Sequence, residues 1–148
     1  MAKVFKGRPI LPGDFSGEAL VSRGGFNTLA SFQKSVILRQ KQAVCSDQNN
    51  PDLYEKVMSG KVLCLPQTIG STTGGLVIQT VAQRGIAPAA MLFSEHIDSL
   101  AAAGVILTDI WEGVRIIVID QLGPEFLQTV KTGHTVQIFS DGMVEVQV

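Results

Sequence analysis

The chain has 148 residues, a formal net charge of −1 and no cluster of Lys or Arg, which argues against nucleic acid or an anionic membrane surface as its main partner, since both need a basic face. One domain accounts for this length, residues 1–148, and no run approaches the roughly 20 apolar residues of a membrane span. With 45% hydrophobic and only 17% charged residues, and a mean hydropathy of +0.27, part of the surface is expected to face another protein.

Met1-Ala2-Lys3-Val4-Phe5-Lys6 lacks the apolar stretch of a signal peptide, so the expectation is a soluble cytoplasmic protein. Gly7 to Gly13 is a turn-rich lead-in, and Gly17 to Ser22 reads as a strand. The Gly24-Gly25 pair that follows suits a bulge or tight turn, or a close approach by a ligand or another loop. Phe32, Val36, Ile37 and Leu38 fit either a strand or a short helix. A polar loop then leads to Pro51–Met58, expected as a short helix capped by Asn50 and stopped by Gly60.

Lys61–Leu65 reads as a short buried strand ended by Pro66, and Leu76, Val77, Thr80 and Val81 repeat at helical spacing until Gly85. Between them lies Leu65-Pro66-Gln67-Thr68-Ile69-Gly70-Ser71-Thr72-Thr73-Gly74-Gly75, a glycine- and hydroxyl-rich turn. A strand, a small-residue loop and a helix start aim backbone N–H groups and the positive end of a helix dipole at whatever enters, which favours a carboxylate or phosphate.

Beyond Gly85-Ile86-Ala87-Pro88, Ala89–Phe93 is expected as a buried strand, Ser94 as the cap of a helix running to Gly104, and Val105–Leu107 as a further strand. Val114–Asp120 is the strongest strand by β-branched content, and Pro124–Val130 suits a short helix. Thr135–Phe139 and Val144–Val148 alternate around an Asp141-Gly142 turn, a hairpin. Alternating strands and helices predict an α/β fold with a mostly parallel sheet covered by helices.

Around Ser71 the spacing Gly70-Ser71-Thr72-Thr73-Gly74 lacks the first glycine of a G-x-S-x-G nucleophile elbow. His96, expected on a helix, and His134, in a Gly-His-Thr turn, are the two possible bases and read as structural, so a hydrolase triad is poorly supported. The glycines make neither a Walker loop nor a dinucleotide fingerprint. Glu95 with Asp98, and Asp109 with Glu112, read as caps or solvated faces, and Trp111 as an interface anchor or a core rim residue. Cys45 and Cys64 have no CxxC spacing and suggest neither a disulfide framework nor a zinc site. On these grounds the loop serves a small anionic substrate, shapes a partner's site, or does no more than cap a helix.

Gly17-Glu18-Ala19-Leu20-Val21-Ser22, Leu65 to Gly74, Gly85-Ile86-Ala87-Pro88-Ala89-Ala90 and Ala101-Ala102-Ala103-Gly104-Val105, in this order and spacing, resemble the small subunit or swivel domain of aconitase X. The resemblance spans nearly the whole chain and implies a swivelling β/β/α fold of the aconitase superfamily. It also implies a heterodimer with a large subunit that carries an iron–sulfur cluster, and a hydro-lyase reaction at the interface. The catalytic base of that superfamily falls on Ser71, and Gly70, Thr72, Thr73 and Gly74 fall on positions expected to bind substrate. Aconitases themselves have a serine and a substrate-binding arginine where this chain has Thr72 and Thr73, a departure that implies an acid smaller than a tricarboxylate. The family includes dehydratases of cis-3-hydroxy-L-proline and of phosphomevalonate. With no Arg or Lys near Gln67–Gly70 to meet a phosphate, the expected substrate is cis-3-hydroxy-L-proline, the alternatives being phosphomevalonate or a non-enzymatic interaction module. Since a cluster needs about three or four thiolates and this chain has two distant cysteines, the cluster is expected on the large subunit.

Overall fold

Val62–Leu65, Ala90–Phe93 and Ile117–Asp120 are buried at every position, as strands covered on both faces must be. The computed structural model describes residues 1–70 and 72–148. Its strands are β1 (Ala2–Lys6), β2 (Arg8–Leu11), β3 (Phe15–Val21), β4 (Phe26–Asn27), β5 (Val62–Leu65), β6 (Thr68–Ile69), β7 (Ala90–Phe93), β8 (Ile117–Asp120), β9 (Thr135–Ile138) and β10 (Met143–Gln147). The helices are α1 (Thr28–Ile37), α2 (Gly74–Gln83), α3 (Ser99–Leu107) and α4 (Pro124–Thr129).

Eight strands form one sheet in the order β1-β10-β9-β3-β5-β7-β8-β2, and β4 pairs with β6 in a separate ribbon. The centre, β3-β5-β7-β8, is parallel, whereas β1, β10, β9 and β2 join antiparallel. The sheet is therefore mixed, and the mostly parallel arrangement expected from the sequence holds for its centre alone. The two edges, β1 and β2, are consecutive in the chain and separated by Gly7, so the sheet curls until its edges meet. Gly7 N–H donates to the Gly142 carbonyl at 3.0 Å, and a Cβ on Gly7 would stand 2.5 Å from the Asp120 carbonyl.

This curl sorts the strand side chains into two cores. Ala19, Val21, Val62, Cys64, Ala90, Leu92, Ile117 and Ile119 point to one face and meet Val136, Ile138, Val144 and Val146 of the hairpin. Their alternates Leu20, Leu63, Leu65, Met91, Phe93 and Val118 point to the other face and meet Phe32, Ile78, Val81 and Val105 of the helices. The result is three layers, sheet on sheet on helices, the swivelling β/β/α fold that the resemblance implied.

Several expectations need correction. Arg8–Leu11, within the stretch expected as a lead-in, is an edge strand paired with β8, and Ala2–Lys6, where no element was expected, is the other edge strand, paired with β10. The residues around Phe32 are helical because Asn27 caps α1, its Oδ1 accepting from Ala30 N–H at 3.1 Å. Pro51–Met58 is a set of turns: Asn50 Oδ1 accepts from Leu53 N–H at 3.2 Å as a cap would, but Glu55 takes φ 65° and Val57 bridges to Val44. Asp98, not Ser94, caps α3, which leaves His96 and Glu95 in the preceding loop. Val105–Leu107 is the end of α3 and not a strand. The chain continues as a π-helical turn over Thr108–Glu112, where Glu112 Oε2 accepts from Gln79 and Gln83 of α2, and Gly113 ends it at φ 65°.

Candidate active site

β3, β5, β7 and β8 run parallel and end on the same side of the sheet, where the loops that follow them cluster. The glycine turn leaves β5 at Pro66 and runs through β6, whose Thr68 and Ile69 pair with Phe26 and Asn27 of β4. At Gly70 the backbone takes φ 98°, and a Cβ would stand 2.7–2.8 Å from the Asn27 side chain, so this position requires glycine. The turn then enters α2 at Gly74, which packs against Thr28. Ser71 lies outside the described residues; Thr72 and Thr73 are exposed on the approach to α2.

A cleft of about 240 Å³ opens at this point. Thr28, the first residue of α1, Gly74, the first of α2, and Leu100 and Ala101, in the first turn of α3, supply three of its walls; Thr68, Ile69, Gly70 and Asp98 complete them. Three helix N-termini therefore converge on one small space, each with the positive end of its dipole inward. Two are already capped, α1 by Asn27 and α3 by Asp98, whose Oδ2 accepts from Leu100 and Ala101 N–H at 3.0 Å each. The Thr73 side chain does not cap α2, and the first turn of this helix, like the other two, favours an anion. Asp98 Oδ1 accepts from the Thr68 hydroxyl, tying β6 to the start of α3.

Of the residues expected to bind substrate, Gly70 and Gly74 line this cleft. Thr68 enters the sequence reading only as part of the hydroxyl-rich turn, Ala101 only as part of a stretch that carries the resemblance, and Asp98 only as a cap or solvated face; Thr28 and Leu100 are not among its site candidates. The Gly24-Gly25 loop does not line this cleft; it braces it from behind. A Cβ on Gly25 would stand 2.6 Å from the Ile69 side chain, and both glycines line a separate cleft with Arg23 and Asp52. Here glycine permits the approach of another loop.

The remaining polar candidates do not line this cleft. His134 Nδ1 accepts from Lys131 N–H at 3.1 Å, and His96 is exposed in its loop. Arg115 grips Asp109 with Nε and Nη2 at 2.6 and 3.0 Å and holds that carboxyl below the usual range. Asp120, at the end of β8, is buried, which alone would raise its pKa; bonds from Arg8 and from Ile97 N–H outweigh burial and lower it. Trp111, on the π-helical turn, is 66% exposed.

Cys45 and Cys64 are buried, and burial pushes both thiols up, Cys64 the further. Among the described residues no three His, Cys, Asp or Glu side chains gather as a metal site. The two cysteines, buried in separate settings, fall short of the three or four thiolates that an iron–sulfur cluster needs.

Residues 4–146 match the family model of the aconitase X swivel domain. The chain belongs to that family. This swivel domain is 30% identical to the phosphomevalonate dehydratase small subunit of Aeropyrum pernix, over 96% of this chain and 92% of that one. It is likewise 30% identical to the phosphomevalonate dehydratase small subunit of Methanosarcina mazei, over 95% of this chain and 89% of the other. It superposes on the crystal structure of Thermococcus kodakaraensis aconitase X in its holo-form with a TM-score of 0.82 and 26% identity, covering 99% of each chain. No helix among the described residues is long and apolar enough to cross a membrane.

Proposed function

We propose that this swivel domain is the small subunit of a two-chain hydro-lyase, that it works only with a large subunit, and that its substrate is cis-3-hydroxy-L-proline. The observation that supports this reading is the cleft itself: a glycine turn and the start of α2 beside a space below the roughly 300–1,000 Å³ of drug-sized ligand sites. The α2 amides would receive the substrate carboxylate. Ser71, two residues before the Thr73 N-cap position, would act as the base. A serine hydroxyl is too weak a base at neutral pH unless its alkoxide is stabilised, and helix-start amides are the local means of doing so. Ser71 would take the proton from the carbon next to the carboxylate. The C–H electron pair becomes the new C=C bond, the C3–O bond breaks, and the hydroxyl leaves as water once protonated; the resulting enamine tautomerises to pyrroline-2-carboxylate. An iron–sulfur cluster is assigned to the large subunit, and no step on this chain runs through it.

Phosphomevalonate is the second reading, favoured by the names of the relatives. Against it, no Lys or Arg is among the described residues that line the cleft. Coexpression with the large subunit tests both: the purified complex is given cis-3-hydroxy-L-proline and phosphomevalonate in parallel, and product is followed by mass. Turnover of hydroxyproline that falls at least 100-fold in Ser71→Ala is expected. Near-wild-type turnover in that variant removes Ser71 as the base; turnover of phosphomevalonate alone replaces the substrate; an assembled complex with no lyase activity on either acid leaves an interaction module.

A further inference from the structure

Asp98 is the one charged side chain among the described residues lining the cleft, and nothing in the elimination just described uses it. Its carboxylate is only partly spent. Oδ2 holds the amides of Leu100 and Ala101, and Oδ1 holds the Thr68 hydroxyl. A carboxylate offers about four acceptor positions, so one remains, on the oxygen it shares with Thr68, itself a wall of the cleft.

The cleft is therefore electrically two-sided. The first turn of α2 favours an anion, and the Asp98 wall favours a cation. A ligand carrying a carboxylate and an ammonium on adjacent atoms satisfies both, whereas a phosphate brought to the Asp98 wall would meet like charge. The geometry points to Asp98 as the specificity-determining residue, accepting a hydrogen bond from the ring ammonium of an imino acid whose carboxylate lies on the α2 amides. This rests on the reading of the substrate as cis-3-hydroxy-L-proline and adds the residue that selects it. The three bonds that Asp98 already makes hold it in place for the task, so little side-chain freedom is lost on binding.

The test uses the two-subunit complex and two competitive inhibitors of one shape: L-proline and tetrahydrofuran-2-carboxylate, which has an ether oxygen in place of the ring ammonium. In the wild-type complex L-proline binds tighter by about tenfold or more, the worth of a hydrogen bond to an ionised partner. Asp98→Asn keeps an oxygen for the α3 amides but loses the charge. In that variant KM for cis-3-hydroxy-L-proline rises about tenfold or more, kcat falls less, and the preference for L-proline disappears. Equal inhibition in the wild type, including none by either compound, overturns the proposal, as does an unchanged preference in Asp98→Asn. Where Asp98→Asn does not assemble, the wild-type comparison decides alone. A wild-type complex that leaves cis-3-hydroxy-L-proline untouched refutes the substrate itself; one that dehydrates it and fails the inhibitor comparison refutes the role of Asp98 only.

Discussion

Gly75 and Gly104 meet face to face where α2 crosses α3, and a methyl group on Gly104 would stand 2.5 Å from the Gly75 Cα and 2.9 Å from its carbonyl oxygen. The obstacle on both counts is backbone, which cannot rotate aside. Because Gly75 is the second residue of α2 and Asp98 caps α3, this contact sets how the start of α2 sits against the Asp98 wall.

Gly104→Ala should separate the two helices. Alanine gains about 1 kcal/mol of helix propensity over glycine, but overpacking against backbone costs about 1–3 kcal/mol, so a net loss is expected. Urea denaturation should show a lower midpoint, with Ala103→Gly, an exposed site in the same helix, as the control for propensity alone. A Gly104→Ala chain as stable as the wild type would mean that the crossing yields.

Gly70→Ala should damage the site more than the fold. The position carries φ 98°, which costs a non-glycine residue about 1–3 kcal/mol, and the new methyl would press on the Asn27 side chain that caps α1. In the complex, kcat/KM should fall at least tenfold while the circular dichroism of the swivel domain stays near that of the wild type. Unchanged kcat/KM would show that the turn tolerates a shift of α1 and β6.

Much of this arrangement was legible in the residues. β5 and β7 were visible as apolar runs stopped by Pro66 and Ser94, and the hairpin by its Asp141-Gly142 turn, because those signals are local. Val105–Leu107 was misread for the same reason: β-branched content is a local preference, and the helical state there depends on Gly104 packing on Gly75, a contact between elements. The glycine turn showed itself; its surroundings did not. Thr68 and Asp98 are 30 residues apart and meet only because β5 and β7 are neighbours in the sheet, which places the loops after them side by side. Thr28 joins them through the β4–β6 ribbon, too short to carry a strand signal.

Asp120 should make the fold acid-sensitive. Its folded pKa lies below the ordinary value because the bonds from Arg8 and the Ile97 amide outweigh burial. A depressed carboxyl contributes stability that is present above its unfolded pKa of about 3.9 and is lost as pH falls through the lower folded value. The denaturation midpoint should fall below about pH 4, and fall less in Asp120→Asn, which has no charge to lose. Parallel acid curves for the two proteins would assign the sensitivity to other carboxyls.

The thiols should report which part of the chain opens first. Cys45 and Cys64 are both buried, and burial raises both pKa values, so at neutral pH neither offers an appreciable thiolate to an alkylating reagent in the folded state. Their settings differ. Cys64 is a central residue of β5, paired on both sides by β3 and β7, and can be exposed only when the sheet comes apart. Cys45 is held by its amide to the Lys56 carbonyl and by its carbonyl to the Glu55 amide, within the turns that replace the expected helix over 51–58. Those turns are tied by the Val44–Val57 bridge and by these few backbone bonds rather than by the ladders of the eight-stranded sheet, and are expected to open before it. Iodoacetamide labelling followed by peptide mass should therefore find Cys45 modified in low urea, well before the global transition, and Cys64 only within it. Simultaneous labelling of the two would mean that the turns and the sheet unfold as one cooperative unit.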